Sequence, residues 1–155
     1  MGNLKHRGPN IVTSLELDPA EMEKRNIHLQ QKYAEIEEKE VRYEEIHCDD
    51  AEYLIVAFGS CARIAQKAME EARAEGIKVG LLRPITLWPF PSKAIAERSR
   101  QVKGILTVEL NAGQMVEDVR LAVECKVPVE YFGRLGGIVP DPDEVVTALK
   151  EKIIK

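Results

Sequence analysis

The sequence predicts an α/β domain, a parallel sheet sandwiched between helices, preceded by a helical arm. Three observations predict it. From Tyr53 onward, short apolar runs rich in β-formers alternate with segments whose apolar residues recur at i, i+3 and i+4. The runs are apolar throughout, as strands covered on both faces are, and strand–helix alternation of this kind builds a parallel sheet with helices on its faces. The charge balance also changes near residue 50. Residues 1–50 carry 7 Lys or Arg against 12 Asp or Glu, while residues 51–155 carry 15 against 14. An acidic arm over 1–50 therefore precedes a balanced body over 51–155.

Residues 1–17 read as irregular, with Gly8-Pro9-Asn10 as a turn signal. Asp18-Pro19 opens a helix: Asp18 can accept from an orphan N–H, Pro19 needs no donor at the first position, and Glu21 completes a capping box. Met22, Leu29, Tyr33 and Ile36 follow, with Asn26 at the remaining stripe position. These make a narrow apolar stripe on one face. It suits a helix lying on its own domain or an arm docking on another. Val41 to His47 reads as a short edge strand, and Cys48 to Asp50 as a turn. Tyr53 to Phe58 is a buried strand, and Gly59-Ser60 turns it into a helix with Cys61, Ile64, Ala65, Ala68, Met69 and Ala72 on one face. Gly76 suits the left-handed cap that ends this helix. Lys78 to Leu82 is a strand. Pro84, Pro89 and Pro91 exclude regular structure from the next stretch. Ser92 caps a helix ending near Val102, Gly104 to Leu110 is a third buried strand, and Gln114 to Glu124 is a helix. Pro128 to Phe132 is the last strand. A loop runs from Gly133 to Pro140, and the capping box Asp141-Pro-Asp-Glu144 opens a terminal helix.

Composition narrows the function. A net charge of −4 argues against a nucleic-acid or anionic-membrane surface. The longest apolar run is too short to span a bilayer. Met1 to Asn10 lacks the apolar core of a signal peptide, so the expectation is a cytoplasmic protein. Cys48, Cys61 and Cys125 are scattered, which suits reduced thiols and gives no cluster-binding spacing. His6, His28 and His47 have no zinc-ligand spacing.

Four segments stand out chemically. Gly59-Ser60 enters a helix, where backbone N–H groups can hold an anion. It lacks both a dinucleotide fingerprint and a Walker motif, so a plain βα turn accounts for it. Arg83 to Pro91 holds the sole Trp, Trp88, with Phe90 and three prolines. Proline lowers the entropy of the unordered loop, so this segment can present aromatic anchors rigidly. Glu109 to Gln114 ends a strand, where open α/β sheets place ligands. The glycine loop Gly133 to Gly137 offers Arg134 to an anion, or is simply a crossing. No Ser/His/Asp or Cys/His arrangement is present, because no His follows residue 47. No catalytic residue and no metal ligand are therefore assigned.

The same segments resemble one family. Tyr53-Leu-Ile-Val-Ala-Phe-Gly-Ser60, Gly80-Leu-Leu-Arg-Pro-Ile-Thr-Leu-Trp-Pro-Phe-Pro91, Val108-Glu-Leu-Asn-Ala-Gly-Gln-Met-Val-Glu-Asp-Val119 and Gly133-Arg-Leu-Gly-Gly137 occur in the order and spacing of the C-terminal region of 2-oxoacid:ferredoxin oxidoreductase α subunits, of the 2-oxoisovalerate and 2-oxoglutarate type. The resemblance implies a three-layer, transketolase C-terminal-like α/β/α fold with five strands, the edge strand at 41–47 antiparallel to the rest. It puts the first buried strand between the second and third, with a switch crevice near Ser60, Glu109, Asn111 and Gln114. The loop readings themselves make Arg83, Trp88, Phe90 and Arg134 interface candidates. The resemblance implies an assembly role in a complex that decarboxylates a 2-oxoacid oxidatively to an acyl-CoA. Thiamine diphosphate, iron–sulfur clusters and coenzyme A would belong to that complex, and none to this chain. Partners would be a thiamine-binding β subunit and iron–sulfur subunits, and a homodimer is compatible. The family's Gly-Asp-Gly…Asn motif and its preceding pyrimidine-binding domain are missing, as in an excised fragment or split-gene product. Two other readings remain open: a stand-alone small-anion module using Ser60 and Gln114, and the end domain of another thiamine enzyme.

Overall fold

A computed structural model describes residues 15–154. The Gly8-Pro9-Asn10 turn, the stretch before residue 15 and His6 lie outside the described residues. The chain divides into two compact units between Glu35 and Ile36. Helix α1, Pro19–Lys39, begins where Asp18 predicts, and the Ala20 N–H donates to the Asp18 carboxylate at 2.9 Å. Glu21 pairs with Lys24 one turn on. No residue of α1 is buried.

The body is a five-stranded sheet between two pairs of helices. The strands are β1 (Tyr43–Ile46), β2 (Tyr53–Ala57), β3 (Val79–Pro84), β4 (Ile105–Glu109) and β5 (Val129–Gly133). Their order is β1-β3-β2-β4-β5, with β1 antiparallel to β3 and every other pair parallel. The first buried strand thus sits between the second and third, and the short edge strand supplies the antiparallel member. The helices are α2 (Gly59–Ala74), α3 (Ser92–Ser99), α4 (Met115–Val123) and α5 (Pro142–Leu149), which ends in a π-helical turn, Lys150–Ile154.

Strand alternation divides the core into two. Ile55, Ala57, Leu81, Leu106 and Val108 face one way, against Ala65, Met69, Val145 and Leu149 of α2 and α5. Leu54, Val56, Leu82 and Ile105 face the other way, against Ile95, Met115 and Val119 of α3 and α4. Because the strands bury both faces, they read as unbroken apolar runs. Burying one such Leu or Ile contributes about 2 kcal/mol.

Helix ends follow local chemistry. At the end of α2 the Ile77 N–H donates to the Ala72 carbonyl and the Gly76 N–H to the Arg73 carbonyl, with Gly76 at φ +88°. This is the left-handed cap that its glycine predicts. At α5 the capping box forms in both directions, with the Asp141 N–H donating to Glu144 at 3.1 Å. Three expectations shift. Pro91, not Ser92, is the N-cap of α3, and Ser92 falls inside the first turn. That helix ends at Ser99, short of Val102. Strand β3 runs on through Pro84, whose missing N–H is tolerated at the last ladder position opposite Tyr43.

Candidate functional site

The parallel strands all finish at one end of the sheet, and the sequence-flagged segments gather there. The order β3-β2-β4 makes β2 and β4 the switch point, so the turns after Ala57 and Glu109 stand side by side. Ser60 lies exposed in the first turn of α2, behind Gly59 at φ +56°. Neither it nor the N-cap Phe58 gives that helix a side-chain cap.

Glu109 is fully buried at the end of β4. A buried carboxylate needs partners, and this one accepts from the Met115 N–H at 2.8 Å, the Val116 N–H at 3.0 Å and the Gln114 N–H at 3.2 Å. The Asn111 side-chain amide donates a fourth bond at 3.1 Å. The strand thereby caps its own following helix. Orphan N–H groups and the helix dipole at the start of α4 would suit an external anion, but the chain's own carboxylate fills the position. Asn111 shapes the turn by accepting the Gly113 N–H at 2.7 Å, and the Tyr131 hydroxyl donates to the Asn111 carbonyl. Gln114 is exposed, and its backbone N–H is taken.

Sequence reasoning missed two neighbours of Glu109. Cys61 is buried close by, and burial, then the Glu109 carboxylate, pushes its thiol up. Tyr131 is held above its ordinary range by burial first, then by Glu109 and Cys61. Its ring lies over Gly133, where a Cβ would meet that ring and stand 2.8 Å from the Glu109 carbonyl oxygen. The signal was a Tyr two residues from a Gly on one strand, a pair that shares a face. In both the Cys61 thiol and the Tyr131 phenol, burial and the nearby carboxylate favour the protonated form. Among the described residues, no group of three or more His, Cys, Asp or Glu is gathered as a metal would need.

The loop after β3 is pinned at its base and exposed at its tip. The Ile85 and Thr86 N–H groups donate to the Arg42 carbonyl, and the Thr86 hydroxyl donates to the Pro89 carbonyl at 2.8 Å. Phe90 is half-buried against the α3/α4 side of the core. Trp88, before a cis peptide to Pro89, is 55% exposed. Arg83 pairs with Glu44 at 2.9 Å, and Arg134 pairs with Glu144.

Ile85 and Leu87 are also exposed beside Trp88. Leu110 follows β4, and Leu135, Ile138 and Val139 follow β5. Tyr43 joins them, because antiparallel β1 starts opposite Pro84. Of nine exposed large apolar side chains in residues 36–155, eight therefore lie at this end, with Leu121 apart. These apolar side chains thus share the end of the sheet where the parallel strands finish.

Residues 51–145 match the family described as pyruvate:ferredoxin oxidoreductase core domain II. The chain belongs to that family. The chain is 51% identical over 142 residues to the ketoisovalerate oxidoreductase subunit VorB of Methanothermobacter thermautotrophicus, a match covering 92% of this chain and 40% of the relative. The chain thus spans about two fifths of the length of that relative. Two solved structures share the fold. One is the 2-oxoglutarate:ferredoxin oxidoreductase of Magnetococcus marinus, with a TM-score of 0.76 at 24% identity, covering 88% of this chain and 24% of that one. The other is a split-gene transketolase, with a TM-score of 0.62 at 22% identity, covering 71% and 40%. The transketolase-like architecture of core domain II thus agrees with the resemblance carried by its motifs. No helix among the described residues is long and apolar enough to cross a membrane.

Proposed function

We propose that this chain is the core domain II portion of an α-type subunit in a 2-oxoacid:ferredoxin oxidoreductase, and that it serves assembly rather than chemistry. The apolar rim at the carboxyl end of the sheet carries the reading. Trp88 is its anchor, presented by a loop pinned to Arg42 and backed by half-buried Phe90. Arg83 and Arg134 flank it as charges already paired within the fold. Ser60, Asn111 and Gln114 supply polar groups at the switch point, and Glu109 holds the turn between them in place.

The complex would convert a 2-oxoacid to an acyl-CoA by oxidative decarboxylation. Its partners would be a thiamine-binding subunit and iron–sulfur subunits, in the cytoplasm. Thiamine diphosphate would supply carbanion stabilisation, but the residues here do not fit it, because the α4 N-terminus that a diphosphate would seek is filled by Glu109. Iron–sulfur clusters do not fit either. Cys48 and Cys61 belong to cores on opposite faces of the sheet. The filled α4 terminus also weighs against a stand-alone anion module, whose Gln114 donor is already used.

The test is capture of the tagged chain from lysate of its own source, with bound proteins identified by mass spectrometry. Thiamine-binding and iron–sulfur subunits are the expected partners. Trp88→Ala should lose them while its unfolding free energy stays within about 0.5 kcal/mol of the parent, as for a surface change. A folded parent that captures no such subunit, or a Trp88→Ala variant that unfolds, would reject the assembly reading.

A further inference from the structure

Helix α1 carries a heptad-spaced seam with charged flanks. Met22, Asn26, Leu29, Tyr33 and Ile36 follow steps of four and three along Pro19–Lys39. Met22, Leu29 and Ile36 take d positions, and Asn26 and Tyr33 take a positions. No residue of this helix is buried.

The flanks are segregated by sign. The g positions are Arg25, Lys32 and Lys39, and the e positions are Glu23, Gln30 and Glu37. In a parallel pair each g residue faces the e residue five places on in its partner, so Lys32 meets Glu37 and Arg25 meets Gln30. In an antiparallel pair g faces g and e faces e, which sets Arg and Lys against Arg and Lys. The buried amide gives the same answer. Parallel in-register helices stack Asn26 on Asn26, where two amides can hydrogen-bond each other. An antiparallel pair centred on the same layers sets Asn26 against Leu29 and leaves a buried amide unpartnered.

We propose that α1 pairs in parallel and in register with α1 of a second copy of this chain. The proposal is independent of the assembly function above. The seam from Met22 to Ile36 spans just over two heptads, shorter than a sustained coil, so pairing is weak and depends on protein concentration. Arg25 also pairs with Glu16 within its own chain. The cross-helix attraction therefore rests chiefly on Lys32 and Glu37, both exposed.

Sedimentation equilibrium on the full chain, taken to millimolar concentration, measures the association. The expected result is a monomer–dimer equilibrium. Lys32→Glu should weaken it roughly tenfold by reversing two symmetric pairs, and adding Glu37→Lys should restore it. Intrahelical effects do not mimic this rescue, since residues 32 and 37 are five apart and do not face each other. Orientation is read by cross-linking in a Cys125→Ser background, which removes the exposed native thiol. Asn26→Cys should form a disulfide-linked dimer in a glutathione buffer. A mixture of Met22→Cys and Tyr33→Cys chains, which meet only in the antiparallel pair, should not cross-link preferentially. A chain that stays monomeric throughout, a charge swap without rescue, or dominant 22-to-33 cross-links would each overturn the proposal.

Discussion

Glu109 is tightly constrained. It is fully buried, and three backbone N–H groups and one amide converge on its carboxylate. A glutamine keeps the shape but turns an N–H donor toward those donors. Glu109→Gln should therefore destabilise the domain by about 2–3 kcal/mol in urea denaturation, and an unchanged midpoint would mean that the cap is replaceable. Cys48 makes a second prediction at this scale. Its Sγ–H donates to the Leu81 carbonyl, and burial first, then the Glu45 carboxylate, pushes the thiol from 9.0 up to about 11. Between those values the unfolded chain has lost this proton while the folded chain keeps it, so folding binds a proton. Stability from this thiol is complete below pH 9 and falls as pH rises toward 11. Cys48→Ala should be less stable at neutral pH, yet show a shallower decline over that window. Parallel curves would assign the alkaline slope elsewhere. The sequence marked Glu109 as polar at a strand's carboxyl end but could not assign its partners. Those N–H groups lie five to seven residues on, and they converge only after α4 folds back over the strand end.

Elements were legible where one local rule decides them. The i, i+3, i+4 spacing of α2, the unbroken apolar runs of β2 and β4, and the Asp-Pro-Asp-Glu start of α5 each appear within a residue or two of their expected places. The antiparallel sense of β1 was not legible locally and came with the family resemblance. Misreadings arose where two rules competed. Ser92 has a capping side chain, but Pro91 before it already holds the non-helical boundary conformation. Pro84 reads as a strand breaker, yet it ends a ladder at an edge pairing where no N–H is required. The α5 box offers a clean test, because Asp141 is exposed and its capping partners are local. Asp141→Ala should cost about 1 kcal/mol of unfolding free energy. A loss several times larger would mean that freeing Glu144 also disturbs its pair with Arg134.

At the scale of the whole chain, the two units differ in what holds them. Among the described residues, every member of both core clusters lies after residue 45, and no residue of α1 is buried. The buried apolar groups of the body come from its own sheet and four covering helices. A chain trimmed to residues 40–155 should unfold cooperatively with the slope and midpoint of the full chain in urea, because the apolar area exposed on unfolding the body is unchanged. It should also lose any concentration-dependent self-association, since the heptad seam leaves with the arm. The two readouts separate the arm's roles. A lowered midpoint in the trimmed chain would mean that α1 stabilises its own body, as a helix lying on its own domain would. An unchanged midpoint with lost association would make the arm a device for joining chains, attached to a body that folds without it and presents its apolar rim separately.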